Sequence, residues 1–277
     1  CGGFSPLDFD GHGTHVTGTI GQSTNDNSGT AGVAFNVRIM PVKVLAGIWD
    51  VLFGCADSDG GTSDDVARGI RYAADNGAKI INLSLGADGE AGTEPVVEAA
   101  IRYAVGLGAF VAIAAGNSFE DGNPMQVIAE IASRVPGAVA VAAVDPQKNH
   151  SFYSSSGTFV ELAAPGGSSR GFGPSGGIWQ QTFAPAFADT FTLPLARYTA
   201  PRFDVFDNLP YQGTSQATPH VSGVAAMLMQ QGVTDPAAIE KILETSAADL
   251  GDPGRDPLYG FGLIQARSAL RGLGMAK

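Results

Sequence analysis

Apolar positions recur along this chain in two rhythms. Near-continuous apolar runs over Lys79 to Leu85, Phe110 to Ala114 and Val139 to Val144 have the composition of strands covered on both faces, and Arg38 to Leu45 reads as a further run of the same kind. Between them the spacing turns helical. Val66, Ile70 and Ala74 fall on one face behind Ser63 as N-cap, with Asp64 and Asp65 in the first turn and Gly77 to close the helix. In Thr93 to Val105 the residues Val96, Val97, Ala100, Ile101, Ala104 and Val105 form a wide apolar stripe. Asp235-Pro236 supplies a cap and first-turn residue for a helix through Thr245, and Val221 to Leu228 reads as a buried helix. Strand and helix patterns alternate, which predicts an α/β fold around a mainly parallel sheet.

The length of 277 residues with 44% apolar residues suits one domain with a full-sized core, and 38 Gly point to many tight turns. A formal net charge of -11 argues against nucleic acid or an anionic membrane surface as partner, because either would repel the chain. No stretch of about eighteen apolar residues occurs, so no membrane span is expected. Cys1 and Cys55 are the only thiols. They can bridge each other, bridge to another segment or stay free; a disulfide is favoured over a reactive thiol, since neither has a His in a recognisable motif beside it.

Two segments carry the chemistry. A Ser hydroxyl is a poor nucleophile at neutral pH and needs a base within hydrogen-bond reach. Ser215, in Gly213-Thr214-Ser215-Gln216-Ala217-Thr218-Pro219-His220, precedes the apolar helical run and so falls at a helix N-terminus, where free N–H groups favour developing negative charge. His12, in Gly11-His12-Gly13-Thr14-His15, opens a second short helix. His15 and His220 lie inside these helices, where packing roles are expected.

At these residues the chain resembles the subtilisin-like serine peptidases, whose His segment reads H-G-T-H-V-A-G and whose Ser segment reads G-T-S-M-A-[ST]-P-H-V-[AS]-G. The family's A-A-G-N landmark appears as Ala114-Ala115-Gly116-Asn117 after an apolar strand. The resemblance implies a three-layer fold with helices on both sheet faces, His12 as general base, Ser215 as nucleophile, and Asn117 with the Ser215 N–H as oxyanion donors. It further implies that Ser84-Leu85-Gly86 pairs with an extended substrate backbone and that Ala115-Gly116 lines the pocket for the residue before the scissile bond. Glu130 falls near the family's pocket floor, where a carboxylate would favour Arg or Lys. The triad acid belongs to a D-[ST]-G segment well before the His, yet only eleven residues precede His12. The acid is therefore expected in an N-terminal piece outside this chain, with Asp8 and Asp10 as poor local substitutes, and residues 1–277 read as a single domain without its N-terminal strand.

The loop Thr24 to Thr30 alternates oxygen donors with a Gly, a composition suited to Ca²⁺. It resembles the family's calcium loop, which implies the Asp26 side chain and the carbonyls of Thr24, Ser28 and Thr30 as ligands. Residues 47–62 and 167–210 depart from the compact family pattern. The second is too long for a structureless connection and its aromatics predict a packed loop or hairpin near the cleft. Gln216 stands where the family usually has Met. The reading is a secreted or extracytoplasmic endopeptidase acting on polypeptides, with an N-terminal fragment or propeptide as a further partner. The alternative is an impaired pseudo-peptidase that binds peptides without turnover; an α/β-hydrolase esterase is disfavoured because Gly213-Thr214-Ser215-Gln216-Ala217 lacks the second Gly of a nucleophile elbow.

Overall fold

The structure, a computed structural model, describes residues 7–47, 50–51, 54–56, 58, 60–184 and 202–272. Its centre is a four-stranded parallel sheet of β1 (Ile80–Leu83), β3 (Phe110–Ala114), β5 (Ala138–Val144) and β6 (Val160–Pro165), hydrogen-bonded in that order. Register runs from Ile80 opposite Phe110 to Val111 opposite Ala138. Both faces are covered, so alternate residues of one strand enter different cores. Val111 and Ile113 pack on one side with α2 (Ser63–Asp75) and α3 (Pro95–Gly106), whereas Phe110 and Ala112 pack on the other with α4 (Thr214–Gln230) and α5 (Pro236–Ser246). This explains why β3 and β5 read as continuous apolar runs rather than as alternations. The structure is thus the three-layer α/β arrangement that the sequence pattern and the resemblance implied.

The helix signals act locally. Thr62, one residue before the expected Ser63, is the N-cap of α2, and it exchanges hydrogen bonds with Asp65 in a capping box. Asp235 caps α5 by accepting from the Ala238 N–H at 2.8 Å.

The run from Arg38 to Leu45 departs from expectation. It joins no helix or strand ladder, and Ile39, Met40 and Leu45 are exposed. A strand needs a neighbour to receive its hydrogen bonds. Among the described residues none flanks this run, and only Ala46 bridges to Gly60 beyond it. Its inward residues Val42 and Val44 still pack on the first core. Cys55 is disulfide-bonded; Cys1, the chain's only other cysteine, lies outside the described residues.

In the region of residues 167–210, β7 (Ile178–Ala184) pairs antiparallel with β8 (Arg202–Tyr211). This hairpin lies against α1 (His12–Gly21). Thr182 Oγ1 donates to Gly11 O at 2.9 Å, and Gln180 Nε2 donates to Ala31 O at 3.2 Å.

One buried group stands apart from the apolar core. Glu161, on β6, is 5% exposed and its Oε2 has no hydrogen-bond partner. Burial, with Glu240 and Glu244 adding repulsion against the pull of Arg255, pushes its carboxyl up to about 8.

Candidate active site

Ser215 occupies the first turn of α4, after Gly213, whose φ of 151° is unfavourable for a residue with a side chain. A Cβ there would also come within 2.9 Å of Gln216 Oε1. Pro219 sits inside the helix and has no N–H to give the carbonyl four residues back, which is that of Ser215. That carbonyl instead accepts from Ser84 Oγ at 2.8 Å. Ser84 Oγ receives in turn from Asn82 Nδ2 at 2.9 Å, and Asn82 Oδ1 receives from Ser222 Oγ at 2.8 Å. The loop after β1 is thereby tied to α4.

Asn117 follows β3. Its Oδ1 accepts from the Thr214 N–H at 2.9 Å and from Thr214 Oγ1 at 3.0 Å, and Thr214 Oγ1 itself accepts from the Gly116 N–H at 3.2 Å. Because a backbone N–H identifies the oxygen end of the amide, Nδ2 is the free end. Ser215, Asn117, Thr214, Leu85, Gly86 and Gly116 line one cleft of about 340 Å³. Gly116 has a φ of 102°, and a Cβ on it would lie 2.3 Å from the side chain of Gln126, which closes that part of the cleft. Ala115 is different: it is fully buried in the core behind the cleft, with its N–H bound to Val141 O.

His12 begins α1, which packs against α4, but it is not among the residues lining this cleft. Burial holds its imidazole below the ordinary 6.5, while Asp10 and Asp8 pull in the opposite direction. No hydrogen bond joins its ring to Ser215, whose Oγ donates only a long bond of 3.4 Å to Ser84 O. Neither local carboxylate reaches the ring. Asp8 is occupied before α1, with Oδ1 accepting from Asp10 N and Gly11 N and Oδ2 from Thr14 N and Thr14 Oγ1. Asp10 Oδ1 accepts from the His12 N–H at 3.2 Å, and burial raises the Asp10 carboxyl.

His15 and His220 have the packing roles expected of them. His15 Nε2 faces the carbonyls of Ile178 and Leu209, each at 3.0 Å, so that nitrogen bears the proton, and the ring stacks on Tyr211 at 4.2 Å. Burial lowers its pKa to about 4. His220 Nδ1 bonds Gln216 O at 2.9 Å within α4. Gln216 is 2% exposed and its Nε2 has no partner.

Glu130 does not line the cleft. It lies in a 3-10 helix (Ala129–Arg134), where Oε1 accepts from the Gly92 N–H and pairs with Arg134 Nη2 at 3.2 Å, so its charge is met within the protein. Asp88, which sequence reasoning passed over, is the carboxylate lining the cleft. Its position depends on a two-residue ladder between β2 (Asp88–Gly89) and β4 (Met125–Gln126), too short to leave a periodic signal.

The loop Thr24 to Thr30 has the donors of a hard-cation site. Asp26 spends Oδ1 on the Ser28 N–H and keeps Oδ2, and the carbonyls at 24, 28 and 30 accept no hydrogen bond among the described residues. Asn208 Oδ1, buried and without a partner, stands 3.3 Å from where a Cβ on Gly29 would be. These oxygens fit Ca²⁺, although no group of three His, Cys, Asp or Glu gathers among the described residues.

The chain is similar to known serine proteinases in sequence and to solved proteases in fold. The chain is 34% identical to the thermophilic serine proteinase of Bacillus sp. (strain AK1) over 258 residues, covering 93% of this chain and 52% of that protein. It is 34% identical to thermitase of Thermoactinomyces vulgaris over 250 residues, covering 90% and 72% respectively. The solved structure of proteases from Pseudoalteromonas arctica matches at TM-score 0.72 with 31% identity, over 94% of this chain and 70% of that one. The chain spans about half the length of the Bacillus proteinase. With the Subtilase family model matched over residues 4–262, the chain belongs to the subtilase family.

Proposed function

We propose that this chain carries the nucleophile, base and oxyanion donors of a serine endopeptidase acting on polypeptides. Ser215 Oγ attacks the scissile carbonyl as His12 takes its proton; the oxyanion is held by Asn117 Nδ2–H and the Ser215 N–H; His12 returns the proton to the leaving amine. Water, deprotonated by His12, then hydrolyses the acyl-enzyme and regenerates Ser215. The observation that carries this reading is the anchoring of Asn117 by Thr214, which fixes the oxygen of the amide and leaves its N–H₂ in the same cleft as Ser215. Membership of the subtilase family and the serine proteinases among its relatives support it.

A second reading, a peptide-binding module without turnover, is favoured by the His12 ring's lack of a hydrogen bond to either Ser215 or a carboxylate. A fluorophosphonate separates the two. Stoichiometric labelling that disappears in Ser215→Ala supports the peptidase, and no labelling supports the binding module. Secretion fits the extracellular protease of Xanthomonas campestris among the relatives, and no helix of the described residues is long and apolar enough to cross a membrane. The Asp26 side chain and the carbonyls of Thr24, Ser28 and Thr30 would hold a calcium ion, which would brace this loop and supply no chemistry to the cleft.

A further inference from the structure

We propose that Asp88 makes the cleft selective for peptides carrying Arg or Lys immediately before the bond to be cleaved, an inference that rests on the peptidase reading above. Asp88 and Ser215 belong to the lining of the same cleft, together with Gln126 and Ser118. The carboxylate is held from two sides: Gln126 Nε2 donates to Oδ1, and Ser118 Oγ lies 3.2 Å from each oxygen. Gln126 is itself 3% exposed and stands opposite Asp88 in the β2–β4 ladder, so the anchor is rigid.

Both donors are neutral. Asp50, Asp65, Glu98, Glu120, Glu130 and Glu244 each have a Lys or Arg partner within the chain, whereas among the described residues no cation pairs with Asp88. A carboxylate offers about four acceptor positions, so these neutral donors leave capacity for a guanidinium or ammonium. An apolar side chain in the same place would displace water from the carboxylate without replacing its hydrogen bonds, which is unfavourable. The amide of Gln126, packed over Gly116, likewise makes that wall polar rather than apolar. The chain's net charge of -11 adds attraction for basic peptides in the same direction.

The test uses the full chain with Ser215→Ala, so that substrate survives, and two fluorescent peptides differing only in Arg against its neutral isostere citrulline. Anisotropy titrations are expected to show the Arg peptide binding about tenfold more tightly, a gap that narrows with salt. With Asp88→Asn added, the ratio is expected to fall to about one. Equal binding of the two peptides by the Asp88 protein overturns the proposal, as does a preference that persists in Asp88→Asn or the binding of neither peptide. The first comparison needs no change at Asp88, so a variant that fails to fold does not rescue the idea. Fluorophosphonate labelling of the wild-type chain reports separately on catalysis: labelling without an Arg preference removes only the selectivity, and an Arg preference without labelling removes the peptidase reading and leaves a cleft that binds basic peptides without cleaving them.

Discussion

Replacing Glu161 by Gln should change how the stability of this protein depends on pH. The carboxyl is buried on β6 without a partner for Oε2, and its pKa rises from an ordinary 4.5 to about 8. A carboxyl whose folded pKa is raised favours folding only in its protonated form. Its penalty is absent below pH 4.5, grows as pH climbs toward 8 and is complete above it. At 1.36 kcal/mol per pH unit the full penalty is about 5 kcal/mol, an upper bound because relaxation around a charged Glu161 lowers it. Gln has nearly the same shape and no titration, so Glu161→Gln should lack this part of the parent's loss while the other buried groups titrate in both proteins. Its extra N–H₂ costs about 1–3 kcal/mol if unpaired, but that offset does not vary with pH. Urea unfolding, followed by tryptophan fluorescence in a Ser215→Ala background to prevent autolysis, gives the free energy at intervals from pH 4.5 to 9. The difference between variant and parent should grow by several kcal/mol across this window. Parallel pH profiles for the two proteins would refute the argument.

Three further outcomes follow from the site. Thr214→Val removes the hydroxyl that steadies Asn117 and accepts from Gly116 N, so kcat should fall about tenfold with KM little changed, less than the roughly 10²–10³ lost when a subtilisin loses its oxyanion Asn; a rise in KM alone would indicate a binding role instead. Gln216→Met removes a buried amide with an unpartnered Nε2 and should raise Tm by about 4 °C, whereas a lower Tm would mean that the amide is satisfied in solution. EGTA should lower Tm by several degrees, and Asp26→Asn should abolish that response; an unchanged Tm in the parent chain counts against calcium at the loop.

The sheet and its helices were legible because they rest on short-range rules. Near-continuous apolar runs identified β1, β3 and β5, and Ser63 to Asp65 and Asp235-Pro236 marked helix starts to within a residue. Arg38 to Leu45 misled because the same apolar pattern forms a ladder only when another strand lies alongside, and nothing local encodes that neighbour. The motifs singled out Ser215, Asn117, Leu85, Gly86 and Gly116, which the structure places in one cleft, but the backbone demands behind them show only in three dimensions. Gly213 must tolerate an unusual φ, Pro219 must leave a carbonyl free, and Asn117 must follow a strand end. Glu130 and Asp88 were not distinguishable by type, since both are acids near cleft segments. Which one faces the cleft depends on Arg134 meeting the first and on a two-residue ladder presenting the second.

Because Pro219 gives up the Ser215 carbonyl to Ser84, Ser215 is moored to the loop that, four positions later, carries Asp88 into the cleft wall. On the proposed reading, choice of side chain and alignment for attack share one short piece of backbone. Redesigning that stretch for a new preference will tend to disturb turnover as well, so altered selectivity is better sought from the Gln126 side of the cleft.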